Sequence, residues 1–341
     1  MSTTIGPDDA TAATGIDEEQ AAVEAEEALF GRPFELSGAR SPRGLLGDLV
    51  HDKLGLASLV FLVVLGLAAI LAPLIAPDDP NHGDLTNAMA SPVWHGGTWD
   101  HPLGTDWQGY DVLSRLLYGA RTSLFIGMAV VSLAGTFGIL VGLTAGYWGG
   151  RTDRWLMGWT DVQVSFPGLL LAILLIALVG GSVLSVTIIL AINGWMVYSR
   201  MTRGVVLTVK ERPFVEAAEI VGCKPRRVVL THILPNLTSP LATLAVLEFA
   251  RIILAEAALS FLGLGVQHPT VTWGLDVARA GDHELFGNQW LIIYPGILLS
   301  LTVLAVNLLS SWLRVALDPQ EREKRFAATA TTGVTSAGTG V

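Results

Sequence analysis

The chain has 341 residues, 51% of them hydrophobic and only 15% charged, with a mean hydropathy of +0.53; a soluble domain carries about a quarter charged residues, so a water-soluble globular fold is excluded. The net charge of −9 is concentrated at one end, because residues 1–35 hold nine acids and a single base, Arg32. The remainder is close to neutral and offers no basic surface for nucleic acid, and one cysteine, Cys223, excludes an intrachain disulfide.

In chain order, residues 1–45 read as an acidic, disordered cytoplasmic tail, since they have few large apolar residues to bury. The first apolar run, 54–75, lies too far along the chain and is too long for a cleavable signal. It is expected to remain as a membrane anchor within an N-terminal helical segment, 46–76. Residues 77–120 form a long extracytoplasmic loop rich in Pro, Gly, His and Asp. Its His82, His95 and His101 match no established metal spacing, and solvated loop histidines are expected.

Five further apolar runs follow at 122–147, 164–179, 183–198, 241–264 and 290–313, each near the length that crosses a hydrocarbon core of about 30 Å. Only Gly180-Gly181-Ser182 separates the third span from the fourth. The expected fold is therefore all-α and integral to the membrane, with six transmembrane helices. Five of them lie in a core spanning 121–318, and the low-complexity tail 319–341 is disordered.

Orientation comes from Lys and Arg near the span ends. On the side of the N-terminus there are three before the first span, two after the second, seven after the fourth and four after the last; the opposite side holds Arg115, Arg121 and Arg279. Sixteen against three places both termini in the cytoplasm. Trp94, Trp99, Trp107, Trp148, Trp155, Trp159 and Trp290 fall near the expected interfaces, where amphipathic rings settle.

The seven-charge loop is a polar, helical-looking insert, 200–236. Pro213 suits a first helical turn, and Glu216 and Glu219 complement the N-terminal end of the helix dipole. Phe214, Ala217, Ala218 and Val221 share one face. Gly222 ends that helix, Pro225 starts another, and Pro235 is expected to break it before the fifth span. Periodicity alone leaves two readings open: a helix resting on lipid with Arg226 and Arg227 toward headgroups, or a helix that plugs into a groove on a soluble partner.

Glu248, Arg251 and Glu256 fall inside the fifth span, where each charge costs roughly 2.5–3.5 kcal/mol at mid-membrane. They should face the bundle interior or a water-filled path. Glu248 and Arg251 are placed to pair at i,i+3; Glu256 lies far around the helix from Arg251 and needs another partner. Pathway lining, a gate and a structural role all stay open for this trio. No Gly-Lys dipeptide exists in the chain, so no phosphate-cradling ATPase loop is present and an energy source must act in trans.

The insert resembles the cytoplasmic EAA motif of ABC-importer permeases, on Glu216-Ala217-Ala218, Gly222 and Leu234-Pro235. The resemblance runs from about residue 53 to 319 and is to the C-type subunit of the dipeptide/oligopeptide/nickel permeases. It is carried by Ala72–Pro77, His101-Pro102-Leu103-Gly104-Thr105-Asp106, Asp111–Arg115, Tyr118–Arg121, Phe166-Pro167, Leu259–Gly265, Trp273-Gly274, Pro295-Gly296 and Leu317-Asp318-Pro319. Tyr110, Gly158, Ser310-Ser311 and Val315 depart from it by changing charge near the membrane surface.

The resemblance implies a type I importer fold and a plasma-membrane subunit that forms half of a pathway for short peptides. It pairs with a second, B-type permease, two cytoplasmic ATPases and an extracytoplasmic solute-binding protein. The ATPases carry ATP and Mg, and this chain binds no cofactor and catalyses nothing. The implied ATPase-docking residues are Phe214, Glu216, Ala217, Ala218, Gly222 and Arg226. A nickel or other small-solute importer remains an alternative, as does a secondary transporter driven by an ion gradient through Glu248, Arg251 and Glu256.

Overall fold

A computed structural model describes residues 45–281 and 288–317. The two expected tails lie outside these residues, save Leu45, as do Arg40, Arg43, Arg322, Lys324 and Arg325 of the charge count. Among the described residues the regular structure is helical, with one isolated bridge between Thr105 and Asp111.

Helix α1 (Leu45–His51) is separated from α2 (Lys53–Ile70) by Asp52, whose carboxylate accepts the Gly55 N–H at 3.0 Å. The expected first span runs to 75, but α2 stops at Ile70. A separate short turn, Ala72–Ile75, follows with Pro73 in its first turn, because proline has no N–H to continue the ladder.

Helix α3 (Val112–Trp148) is 37 residues long, about 55 Å at 1.5 Å per residue. It begins ten residues earlier than the apolar run because the Asp111 carboxylate caps it, accepting the Ser114 N–H at 2.7 Å. Helices α4 (Gly150–Val164) and α5 (Gly168–Val179) follow, bent by 81° at the break between them. The apolar run at 164–179 covers α5 alone; α4 lies almost wholly outside the apolar runs and carries exposed Trp155, Trp159 and Val162.

Helix α6 (Val183–Lys210) opens on a reciprocal cap between Ser182 and Ser185. It extends well past residue 198 because its charged second half finds carboxylates on α4. Arg203 holds Asp153 through two bonds of 2.5 and 2.6 Å, and Arg200 holds Asp161 at 2.7 Å.

Helix α7 (Pro213–Ile220) is followed by the turn Pro225–Arg227, a π-helical segment Val228–Ile233 and helix α8 (Leu234–Phe261). The expected break at Pro235 does not occur. The turn before it is widened, with the Leu234 N–H bonding back to the Val229 carbonyl, and this π register accommodates a proline that cannot donate. Helices α9 (Trp273–Gly281) and α10 (Trp290–Leu317) complete the described chain.

By length and composition α2, α3, α6 and α10 are apolar enough to cross a membrane, and the bent pair α4–α5 raises the number of candidate spans from four to five. Helix α8 has the length but not the composition: Pro235, Asn236 and Pro240 lie in its first half, and Glu248, Arg251 and Glu256 in its second.

Helix α3 against α6 is the centre of the packing. A Cβ on Gly138 would lie 2.3 Å from the Trp195 carbonyl oxygen, one on Gly142 2.5 Å from that of Ser199, and one on Gly146 2.8 Å from the Val206 Cβ. Glycine every fourth residue gives a flat ridge on which the second backbone rests directly.

Candidate functional site

The insert is built outward from a buried anchor. Val215 is fully buried and belongs to a cluster with Tyr147, Val206, Val209, Val228, Ile233 and Leu237. Ala218 and Cys223 pack against the same cluster, so α7 turns its Val215–Ala218 face inward. The helix ends on a Schellman motif: Gly222 N–H to Glu219 O at 2.9 Å and Cys223 N–H to Ala218 O at 3.0 Å. Gly222 has φ +83°, and nothing lies within 4 Å of where its Cβ would be. Glycine is therefore needed there for its backbone conformation and not for space.

Polar contacts tie the insert to the end of α3. The Tyr147 hydroxyl donates to Glu219 Oε1 at 3.4 Å, while Lys210 Nζ donates to the Tyr147 carbonyl at 2.8 Å and lies 5.3 Å from its ring centroid. The outward side of α7 is apolar and open: Phe214 is 45% exposed, Ile220 79% and Val221 82%. Glu216, Ala217 and Arg226 are exposed with them. Of the face read from periodicity, Phe214, Ala217 and Val221 point away from the bundle and Ala218 points into it. Val215, which that face omitted, is the anchor.

The ionisable trio of α8 divides in two. Glu248 is buried and pairs with Arg251, whose Nε and Nη2 both donate to Glu248 Oε2, at 2.8 and 2.6 Å. The Arg251 side chain is 53% exposed. Glu256 is 1% exposed and finds hydroxyls instead of a cation: Ser260 Oγ donates to Oε1 at 2.8 Å, and Ser123 Oγ of α3 lies 3.3 Å from Oε2.

At the far end of α3 from the insert, Arg115 forms a buried pair with Asp276 of α9, with Nε and Nη2 at 2.9 and 2.5 Å from Oδ1. Its Nη1 donates to the Pro80 carbonyl, which joins residues 77–111 to the same knot. Trp273 Nε1 donates to the Leu116 carbonyl at 3.0 Å, and Gly119 leaves the space its ring fills. Burial pushes the Asp276 carboxyl above the ordinary range and Arg115 pulls it back; burial likewise lowers Arg279. His101 Nδ1 lies 3.2 Å from Asp111 Oδ1, and His95 stacks on Trp290.

In the sequence Asp111–Arg115 and Trp273-Gly274 are separate motifs, and nothing in it signals that they meet. Asn193, whose Oδ1 is buried without a partner among the described residues, is likewise not among the candidates the sequence offers. A lone asparagine in an apolar run was the available clue.

Several apolar spans about a glycine-packed helix pair, with ionisable side chains held within one helix, define a polytopic helical membrane protein. Residues 138–323 match the family described as binding-protein-dependent transport system inner membrane component, and residues 46–92 match the N-terminal TM domain of oligopeptide transport permease C. The chain belongs to this family of bacterial ABC-importer permeases, which are multi-pass components of the plasma membrane.

It is 40% identical over 271 residues to the di/tripeptide transport system permease protein of Pseudomonas aeruginosa, covering 79% of this chain and 89% of that one. It is 36% identical over 272 residues to the oligopeptide transport system permease protein of Haemophilus influenzae, covering 80% and 86%. To the dipeptide transport system permease protein of Alkalihalophilus pseudofirmus it is 35% identical over 291 residues, covering 84% and 93%.

Proposed function

We propose that the chain is the C-type permease subunit of an ATP-driven importer of short peptides, in which α7 is the helix that couples it to a cytoplasmic ATPase. The observation that carries this is the division of α7 into two faces. Val215 and Ala218 fix it to the bundle, while Phe214, Ile220 and Val221 are left as an apolar surface with no cover among the described residues. Such a face matches the helix-in-groove mode of recognition. Phe214, Glu216, Ala217 and Arg226 are assigned to the contact. Ala218 and Gly222 hold the helix in position for it.

In this reading six spans cross the membrane: α2, α3, the bent pair α4–α5, α6, α8 and α10. Helix α8 is the sixth because it is 28 residues long and its Glu248 and Glu256 are buried within the helical bundle. Both termini lie with the insert in the cytoplasm, as the Lys and Arg distribution requires. ATP and Mg reside on two partner ATPases, a second permease completes the pathway, and an extracytoplasmic binding protein delivers cargo. The peptide assignment follows the names of the relatives. Glu248 and Arg251 are assigned to the pathway side, because a half-exposed guanidinium in mid-span needs water or a partner, whereas Glu256, buried against Ser123 and Ser260, is assigned a structural role. The nucleotide state of the ATPases biases a two-state bundle, and α7 transmits the bias.

The test is reconstitution of the chain with its partner permease, ATPases and binding protein in liposomes. Ile220→Asp is expected to abolish ATPase co-purification and ATP-driven uptake while leaving the membrane subunits assembled. Uptake that persists without ATP, or an intact ATPase complex in Ile220→Asp, would refute the proposal.

A further inference from the structure

A cavity of about 360 Å³ opens between the α4–α5 bend, α6 and α8, bounded by Phe166, Gly168, Leu190, Asn193, Met196 and Arg251. Its volume falls in the range of small-ligand pockets, about 300–1,000 Å³. The walls are aliphatic and aromatic, and Asn193 and Arg251 are the two polar side chains that line it.

Each of the two has one unused hydrogen-bonding group. Asn193 Nδ2 donates to the Ile189 carbonyl at 2.9 Å, which fixes the amide and leaves Oδ1 as a buried acceptor without a partner among the described residues. A Cβ on Gly168 would lie 3.6 Å from that oxygen, at ordinary van der Waals contact, so Gly168 at the α4–α5 break packs directly beside it. Arg251 commits Nε and Nη2 to Glu248 Oε2, and its Nη1 makes no bond among the described residues. A buried acceptor left empty costs about 1–3 kcal/mol, and such a group in a cavity marks a place where a donor is expected to come.

One acceptor and one donor on apolar walls complement the N–H and C=O of a peptide unit. A pathway that passes peptides of differing side chains meets only one chemistry common to all of them, the backbone. We infer that this cavity is a contact site for the peptide backbone in transit, where Asn193 Oδ1 accepts a peptide N–H and the Arg251 guanidinium donates to a peptide carbonyl or terminal carboxylate. The inference rests on the assignment of this face of α8 to the pathway.

The experiment uses the complete transporter in liposomes, in a Cys223→Ser background, with radiolabelled trialanine as the probe. Asn193→Cys reports access through a membrane-impermeant thiol reagent, and Asn193→Leu removes the acceptor without touching the Glu248–Arg251 pair. Arg251→Gln and Arg251→Lys test the donor. Labelling of Asn193→Cys is expected, slowed by peptide-loaded binding protein. Uptake per ATP hydrolysed should fall about tenfold in Asn193→Leu and Arg251→Gln, the effect of one ordinary hydrogen bond, with partial recovery in Arg251→Lys. Labelled Asn193→Cys together with wild-type uptake per ATP in Asn193→Leu overturns the backbone contact and leaves the pathway standing. An unlabelled Asn193→Cys overturns the pathway assignment and the contact with it.

Discussion

Substituting Gly142 by alanine tests the backbone-on-backbone contact between α3 and α6 that positions everything downstream. The new Cβ would stand 2.5 Å from the Ser199 carbonyl oxygen, nearly 1 Å inside an ordinary van der Waals contact. That oxygen belongs to a helix backbone and cannot rotate away, so the two helices must separate. Overpacking of this kind costs about 1–3 kcal/mol. Gly→Ala in a helix interior otherwise gains about 1 kcal/mol. Gly204 supplies the control, since it lies in α6 with nothing within 4 Å of its Cβ position.

Gly204→Ala is therefore expected to raise stability slightly and Gly142→Ala to fall about 1–3 kcal/mol below it. That is a difference of a few degrees in apparent melting temperature for a chain of this size. Thermal denaturation of the purified, detergent-solubilised transporter at one scan rate measures it. Because α6 leads through Lys210 into the insert, Gly142→Ala should also lower uptake per ATP hydrolysed. Equal melting temperatures for the two variants would refute the close-packed interface.

The insert gives a second pair: Val215→Ala removes methyls from a fully buried site and should lose about 2 kcal/mol of stability. Phe214→Ala, on the outer face, should leave the melting temperature unchanged and weaken ATPase co-purification. Gly222→Ala forces an alanine to φ +83° and should cost about 1–2 kcal/mol. Gly222→Asn should cost less, and hydrogen exchange confined to residues around the insert would locate the effect. Arg115→Met strands the buried Asp276 carboxylate and should destabilise by about 3–5 kcal/mol; adding Asp276→Leu should restore much of the loss. By contrast Asp161→Asn, which removes the exposed partner of Arg200, should change stability by less than about 1 kcal/mol. The thermal assay separates these cases.

Much of this protein is local physics and could be read without coordinates. Apolar run length marked α2, α3, α6 and α10, the four helices long and apolar enough to cross a membrane, because crossing lipid requires about twenty apolar residues whatever they pack against. The segregation of Lys and Arg, the missing phosphate loop and the spacing from Glu216 to Gly222 were equally plain, and each is a property of neighbours in the chain. Pairing of Glu248 with Arg251 followed from i,i+3 geometry for the same reason.

The tertiary structure decided what depends on a distant partner. Helix α6 runs to Lys210 because α4, which carries no long apolar run, supplies Asp153 and Asp161. The chain passes through Pro235 because a π segment precedes it. Periodicity grouped Phe214 with Ala218, but only packing against Tyr147 and Val206 settled that Val215 and Ala218 point inward and Phe214 outward. A repeat of 3.6 residues says which side chains share a face. It carries no information on which face meets the rest of the protein, and on that choice depend the anchor of α7, the Arg115–Asp276 pair and the cavity holding Asn193 with Arg251.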